Sequence, residues 1–225
     1  MTHMSCPRRR GLLVAGIILT ILLADQVLKF WVKTNFYLGE SLEIFSWFQL
    51  VFIQNNGMAF GWEIGSKLLL TLLRIATVGF LIFYICRIYG RKECRTGYLV
   101  CVALVVAGAA GNIVDCMFYG LIFNNPLPPE VAQVFPANGG YGTFLHGLVV
   151  DMFYFPLCEW DWPAWMPIIG GRHFMFFRPV FNLADAAISV GMVALILFYS
   201  NQISLVPWRR KAQEMADNDT NDQAK

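Results

Sequence analysis

Four apolar stretches decide what this chain can fold into. They cover residues 11–31, 68–86, 98–118 and 182–206, each near the ~20 residues a helix needs to cross ~30 Å of hydrocarbon. Lipid offers the backbone no hydrogen-bond partners, so each stretch must satisfy its own amides and carbonyls as a helix. Composition agrees. Of the 225 residues, 57% are hydrophobic and 14% charged, against about 25% charged in soluble domains, and mean hydropathy is +0.53. The expected fold is an all-α membrane protein with four transmembrane helices, a small external β-sheet and extended external loops. Residues 1–206 form a single integral membrane domain, and 207–225 a basic, polar tail expected to be disordered.

Basic residues orient the spans. Arg8, Arg9 and Arg10 precede the first, Arg87, Arg91, Lys92 and Arg95 join the second to the third, and Arg209, Arg210 and Lys211 follow the fourth. With four spans these sites share one side, which the positive-inside rule makes cytoplasmic, with both termini. The first stretch ends Leu22-Leu23-Ala24-Asp25, without the small-residue pattern of a cleavage site, and is read as a retained helix. Residues 32–67 and 119–181 are then external. The first of these holds a strand-like run, Phe48 to Ile53, ending at turn-prone Asn55-Asn56-Gly57. The second is rich in Pro, Gly and aromatics. Trp160, Trp162 and Trp165 place it along the outer membrane boundary, and Phe174-Met175-Phe176-Phe177 reads as interfacial anchoring. Arg74, inside the second span, reads as snorkelling outward.

The polar residues of the spans gather near the outer end. Asp25 and Lys29 share a helical face. Asn112 and Asp115 stand three apart, and Asn182 and Asp185 repeat that spacing. Asp151 sits in the apolar run Val149 to Phe153. A single acid of this kind can cap a helix or pair with a lysine. Several converging on one depth mark a function, because carboxylates near hydrocarbon are costly. Two carboxylates in one pocket cannot both ionise cheaply, so one keeps a proton while the other acts as base. Such a pair can draw a proton from water, polarise a peptide carbonyl and then protonate the leaving amine, without a metal. Asp151 and Asp185 are the expected pair.

Other chemistries lack their residues. Net charge is +2, so no basic field points to nucleic acid. The six cysteines (Cys6, Cys86, Cys94, Cys101, Cys116, Cys158) form no C-x-x-C pair. Cys116 and Cys158 share the outer side, which leaves a disulfide between them open. No H-E-x-x-H, G-x-S-x-G or phosphate-cradling glycine loop occurs, and neither His146 nor His173 is given a catalytic role. A small proton-coupled transporter is the alternative. It would spread its acids across several depths and repeat its halves, and this chain does neither.

Five blocks, in order, resemble the bacterial lipoprotein signal peptidase family (signal peptidase II). They are Asp25-Gln26-Val27-Leu28-Lys29; Asn55-Asn56-Gly57-Met58-Ala59-Phe60; Gly108-Ala109-Ala110-Gly111-Asn112-Ile113-Val114-Asp115; Val149-Val150-Asp151-Met152-Phe153; and Phe181-Asn182-Leu183-Ala184-Asp185-Ala186-Ala187-Ile188. The resemblance implies a bacterial inner-membrane aspartyl endopeptidase without cofactors or metal, its active site near the periplasmic face. It would cleave the prolipoprotein signal peptide just before a diacylglyceryl-cysteine. Its partners would be that substrate, membrane lipids and globomycin-type inhibitors. Asp151 and Asp185 map to the catalytic dyad. Asn112 and Asn182 would contact substrate or order the dyad, while Asp25, Lys29, Asn55, Gly57, Gly108 and Asp115 would support the site. The external sheet resembles the family's cradle beneath the substrate.

Two departures stand out. Many members carry Arg after the Asp of the third block, where this chain has Cys116; a thiol offers neither the charge nor the donors of a guanidinium. Arg172 or Arg178 is expected to substitute. The segments between Asp115 and Asp151 and from Pro156 to Arg178 are also longer than in typical members, and read either as a lid or lipid-facing platform or as packing against the sheet.

Overall fold

In a computed structural model of the chain, residues 6–55, 67–91, 94–176 and 179–203 are described. Of the positions singled out above, Asn56 to Phe60 (Gly57 among them), Lys92, Phe177, Arg178 and the tail 207–225 lie outside these residues. Helices α1 (Cys6–Asn35), α2 (Lys67–Ile88), α3 (Thr96–Val114) and α5 (Leu183–Ile203) match the four expected spans. Each is long and apolar enough to cross a membrane. A π-helical segment, Asp115–Tyr119, and the single turn α4 (Gly120–Ile122) prolong α3. Of the apolar window in this prolonged α3, 67% is buried, against 11% to 17% in the other three. The third span is therefore the central post, and the others turn apolar faces outward, as Val190, Val193, Ile196 and Leu197 of α5 do.

Small residues let α5 lie close against that post. A Cβ on Gly108 would stand 2.2 Å from the Ala184 carbonyl oxygen, and one on Gly191 would stand 2.8 Å from that of Cys101. No side chain fits either place. Between spans this close approach supplies dispersion contact that apolarity alone does not, since lipid tails are as apolar as Leu. It also sets the first turn of α5, with Asp185, beside Asn112.

Beyond the spans, β1 (Ser41–Phe45), β2 (Phe48–Asn55) and β3 (Val149–Tyr154) form an antiparallel sheet in that order. Ile53 pairs with Asp151 and Gln54 with Val150. A second apolar cluster, including Val32, Phe36, Phe52, Phe123, Val150 and Met152, fastens the sheet to the end of α1 and to the prolonged α3. The chain returns to β3 by docking on the π-helical segment, where Gly147 N–H donates to the Cys116 carbonyl at 2.8 Å. A Cβ on Gly147 would stand 2.0 Å from the Asp115 carbonyl oxygen. A π turn disturbs the regular carbonyl pairing of a helix, and here the returning loop binds at that disturbance.

The structure settles points that the sequence left open. The sequence run around Asp151 is a sheet strand, paired on one edge to β2. The segment from Pro156 to Arg178 contains a separate hairpin, β4 (Cys158–Asp161) paired with β5 (His173–Phe176), where Phe174 packs on Trp160 with centroids 4.4 Å apart. Cys116 and Cys158 are both free thiols, one buried and one exposed. The other insertion bridges Val131 to Tyr37 and Val134 to Phe123, which favours packing over a detached lid.

Candidate active site

Asp151 and Asp185 come from different elements and share one intermediary. Asp151 projects from β3 and is 2% exposed; Asp185 lies in the first turn of α5. Asn182 joins them. Its Nδ2 donates to Asp151 Oδ1 at 2.7 Å, and its Oδ1 accepts from the Asp185 N–H at 2.9 Å. Asp185 Oδ2 in turn accepts from the Asn182 N–H at 3.4 Å. The Asn-x-x-Asp spacing is thus a reciprocal cap at the start of α5, while Asp185 Oδ1 stays free of the cap and accepts from Asn112 Nδ2 at 2.7 Å. The same spacing at Asn112 and Asp115 caps nothing. It lies inside the third span, where both side chains reach other helices.

Second contacts hold these groups. Asn55 Nδ2 donates to Asp151 Oδ2, so both carboxylate oxygens of Asp151 accept from side-chain amides. Lys29 Nζ reaches Asn112 Oδ1 at 2.9 Å, Asp25 Oδ2 at 2.9 Å and Asp115 Oδ2 at 2.8 Å, which uses its three protons. Asp25 Oδ1 accepts from the Ala184 N–H at 2.9 Å, placing a negative charge at the N-terminus of α5, where the helix dipole favours it. Asp115 Oδ2 also accepts from the Val150 N–H at 3.3 Å. Asp25, Lys29 and Asp115 therefore tie the first span to the third, to β3 and to the cap of α5.

Burial pushes the Asp151 carboxyl up to about 7, with the nearby Asp185 charge the second cause; the Asn182 hydrogen bond and Lys29 pull the other way. This environment favours the protonated form of the Asp151 carboxyl far above the usual carboxylate range.

Asp25, Lys29, Asn55, Asn112, Asp115, Asp151, Asn182 and Asp185 all enter this one network, and Gly108 packs α3 onto the turn that carries Asp185. Gln26, Tyr119, Lys33 and Arg74 were not anticipated as part of it. Gln26 Nε2 bridges Asp115 Oδ1 at 2.9 Å and Asp25 Oδ2 at 3.2 Å, and Tyr119 donates to Gln26 Oε1 at 3.2 Å. Charged positions 25, 29 and 33 of α1 repeat every four residues, a stripe that would have flagged Lys33. The expected substitutes for the family arginine also change. Arg172 is exposed, near the β4–β5 turn, whereas Arg74 Nη1 of α2 lies 3.6 Å from Cys116 Sγ. Arg74, expected to snorkel towards the outer boundary, reaches the segment that prolongs α3. Among the described residues no group of three or more His, Cys, Asp or Glu could hold a metal ion.

A family model described as signal peptidase (SPase) II matches residues 17–200. The lipoprotein signal peptidase of Porphyromonas gingivalis is 48% identical over 197 residues, covering 88% of this chain and 87% of its own. That of Amoebophilus asiaticus is 34% identical over 210 residues, covering 91% and 84%. A solved bacterial membrane enzyme, determined by the in meso method at 2.3 Å resolution, superposes with a TM-score of 0.55 at 21% identity, over 86% of this chain and 90% of its own. That likeness is one of fold.

Proposed function

Since the chain belongs to the signal peptidase II family, acting as a membrane peptidase on prolipoproteins, we propose that it is an aspartyl endopeptidase cutting just before the diacylglyceryl-modified cysteine. One observation carries the mechanism: two acids from separate elements are joined through Asn182, whose side-chain amide donates to the Asp151 carboxylate and whose main-chain N–H donates to the Asp185 carboxylate. Asp151 holds the proton and polarises the scissile carbonyl. Asp185, held open by Asn112, takes the proton of the attacking water. The roles then reverse to protonate the leaving amine. The Arg74 guanidinium beside Cys116 supplies the charge that the thiol lacks. In this reading the sheet and hairpin lie on the periplasmic side of the inner membrane, both termini are cytoplasmic, the cradle supports the substrate, and globomycin-type peptides compete for the same pocket.

Purified enzyme given a prolipoprotein substrate with and without the diacylglyceryl group tests the specificity. Mass spectrometry is expected to map cleavage to the bond before the lipidated cysteine, with the unlipidated peptide left intact. Equal cleavage of both peptides would remove the lipid from the recognition.

The Asp151 proton also sets a pH dependence. The rate is expected to fall as pH rises past about 7, because the carbonyl-polarising acid is then lost. Stability has the same sign. Between the ordinary carboxylate value of 3.8 and about 7, the folded chain binds a proton that the unfolded chain has released, so stability declines as pH rises through that window. A kcat profile flat from pH 6 to pH 9 would contradict the assignment of the proton to Asp151.

A further inference from the structure

Lys33 lies one turn beyond Lys29 on α1 and is 0% exposed. Its ammonium has no hydrogen-bond partner among the described residues. Three rings enclose it instead: Phe52 of β2 at 5.5 Å, Phe123 beyond α4 at 5.3 Å, and Tyr141 of the external loop at 5.2 Å. Ring faces attract a cation, yet an ammonium stripped of water and hydrogen bonds remains costly. An apolar side chain of similar length would fill the same cage without that cost. Packing therefore does not explain why a lysine is here.

The surrounding charges do. Among the described residues the buried acids and lysines are Asp25, Asp115, Asp151, Lys29 and Lys33. With Asp151 as the proton-holding acid, Asp25 and Asp115 stand against Lys29, and Lys33 is the second cation that makes them even. Asp115 is the acid whose charge Lys33 feels. Asp115 itself faces Asp25, Gln26 and Lys29 of α1, Tyr119 of its own segment and Tyr141 of the loop, and it accepts the N–H of Val150, the residue before Asp151.

We propose that Lys33 is a positioning residue for the peptidase reaction: its caged charge balances Asp115, so that Asp115 keeps hold of the Val150 N–H and with it the strand that presents Asp151. The proposal rests on the reading of Asp151 as one of the two catalytic acids. The cage is also where the sheet, the loop and the end of the third span meet around α1, so the same cation joins each part that carries β3.

The experiment compares Lys33→Met and Lys33→Arg with the unsubstituted enzyme, measuring kcat, KM and melting temperature on lipidated prolipoprotein. Lys33→Met is expected to melt at or above the unsubstituted temperature. Its kcat is expected to drop about 10- to 100-fold, the scale of a slight misplacement of reacting groups, with KM little changed, and Lys33→Arg to recover most of the rate. Unchanged kcat in Lys33→Met overturns the proposal. So does a loss of rate that tracks a fall in melting temperature and is shared by Lys33→Arg. Should Lys33→Met alone melt early, the Lys33→Met/Asp115→Asn pair decides: charge balance requires the second substitution to restore the melting temperature, and additive losses overturn the role. Asp151→Asn in the same assay reports on the dyad separately, since its activity would remove Asp151 without bearing on how Lys33 affects melting or rate.

Discussion

Asp151→Asn and Asp185→Asn each leave diacylated prolipoprotein uncut in cells depleted of their own enzyme, although both variants reach the membrane. Removing a positioned acid or base costs about 10²- to 10⁴-fold, and the two act on one proton inventory, so the double variant is expected to be little worse than either single. The substitutions differ in structural cost. At 151 both carboxylate oxygens accept from amides, Asn182 Nδ2 and Asn55 Nδ2, so an amide there turns one acceptor into a donor facing a donor. Leaving a buried group unmatched costs about 1–3 kcal/mol. At 185 both oxygens also accept, from Asn112 Nδ2 and the Asn182 N–H, but the side chain is only half-buried, so water can meet a mismatched amide, and an asparagine can cap as well. Melting temperature is therefore expected to drop more for Asp151→Asn than for Asp185→Asn, with activity lost in both. Normal processing by either variant would take that residue out of the dyad.

Lys29→Met is expected to cost more stability than any other substitution in the network. The ammonium is 0% exposed and shared among Asp25, Asn112 and Asp115. Its removal leaves two carboxylates buried without their common cation, a loss of about 3–5 kcal/mol from a total usually of about 5–15 kcal/mol. At the scaling for chains of this length the melting temperature falls by about 10 °C. The cause can be separated from lost packing. In the Lys29→Met background, Asp25→Asn or Asp115→Asn relieves one of the stranded charges and is expected to return part of the loss. A Lys29→Met enzyme that melts with the unsubstituted protein would show that the triad contributes nothing to the fold.

Charge balance links these outcomes. Asp25 and Asp115 need two cations, and α1 supplies both, one turn apart. Lys29 answers them through hydrogen bonds, Lys33 through its field from inside an aromatic cage. That is why loss of Lys29 is expected to unfold the site and loss of Lys33 to misplace it.

Much of this was legible before any coordinates. The four spans agree with the helices to within a few residues, because a bilayer demands runs of one length and one polarity, and that demand is written locally. The acids and amides of the site were legible for a related reason: a carboxylate within an apolar run has few reasons to be there. Asp151 shows the limit. Its apolar neighbours identified it as unusual, but strand β3 is defined by its partner β2, some hundred positions earlier in the chain, and no local pattern carries that pairing.

The arginine illustrates the same boundary. Cys116 shows that a guanidinium is absent from its usual place in the chain, and Arg172 or Arg178 was the expected substitute. Arg74 of α2 reaches Cys116, while Arg172 is exposed and Arg178 lies outside the described residues. The sequence alone determined the number and order of the spans and the identity of the acids, which follow from solvation of single segments. Only the tertiary structure decided that Asn182 bridges Asp151 to Asp185, that Lys33 is caged and that Arg74 stands beside Cys116. Each depends on the angle and closeness at which separate helices and strands pack, and Gly108 and Gly147 set those approaches through contacts that exist only once the chain is folded.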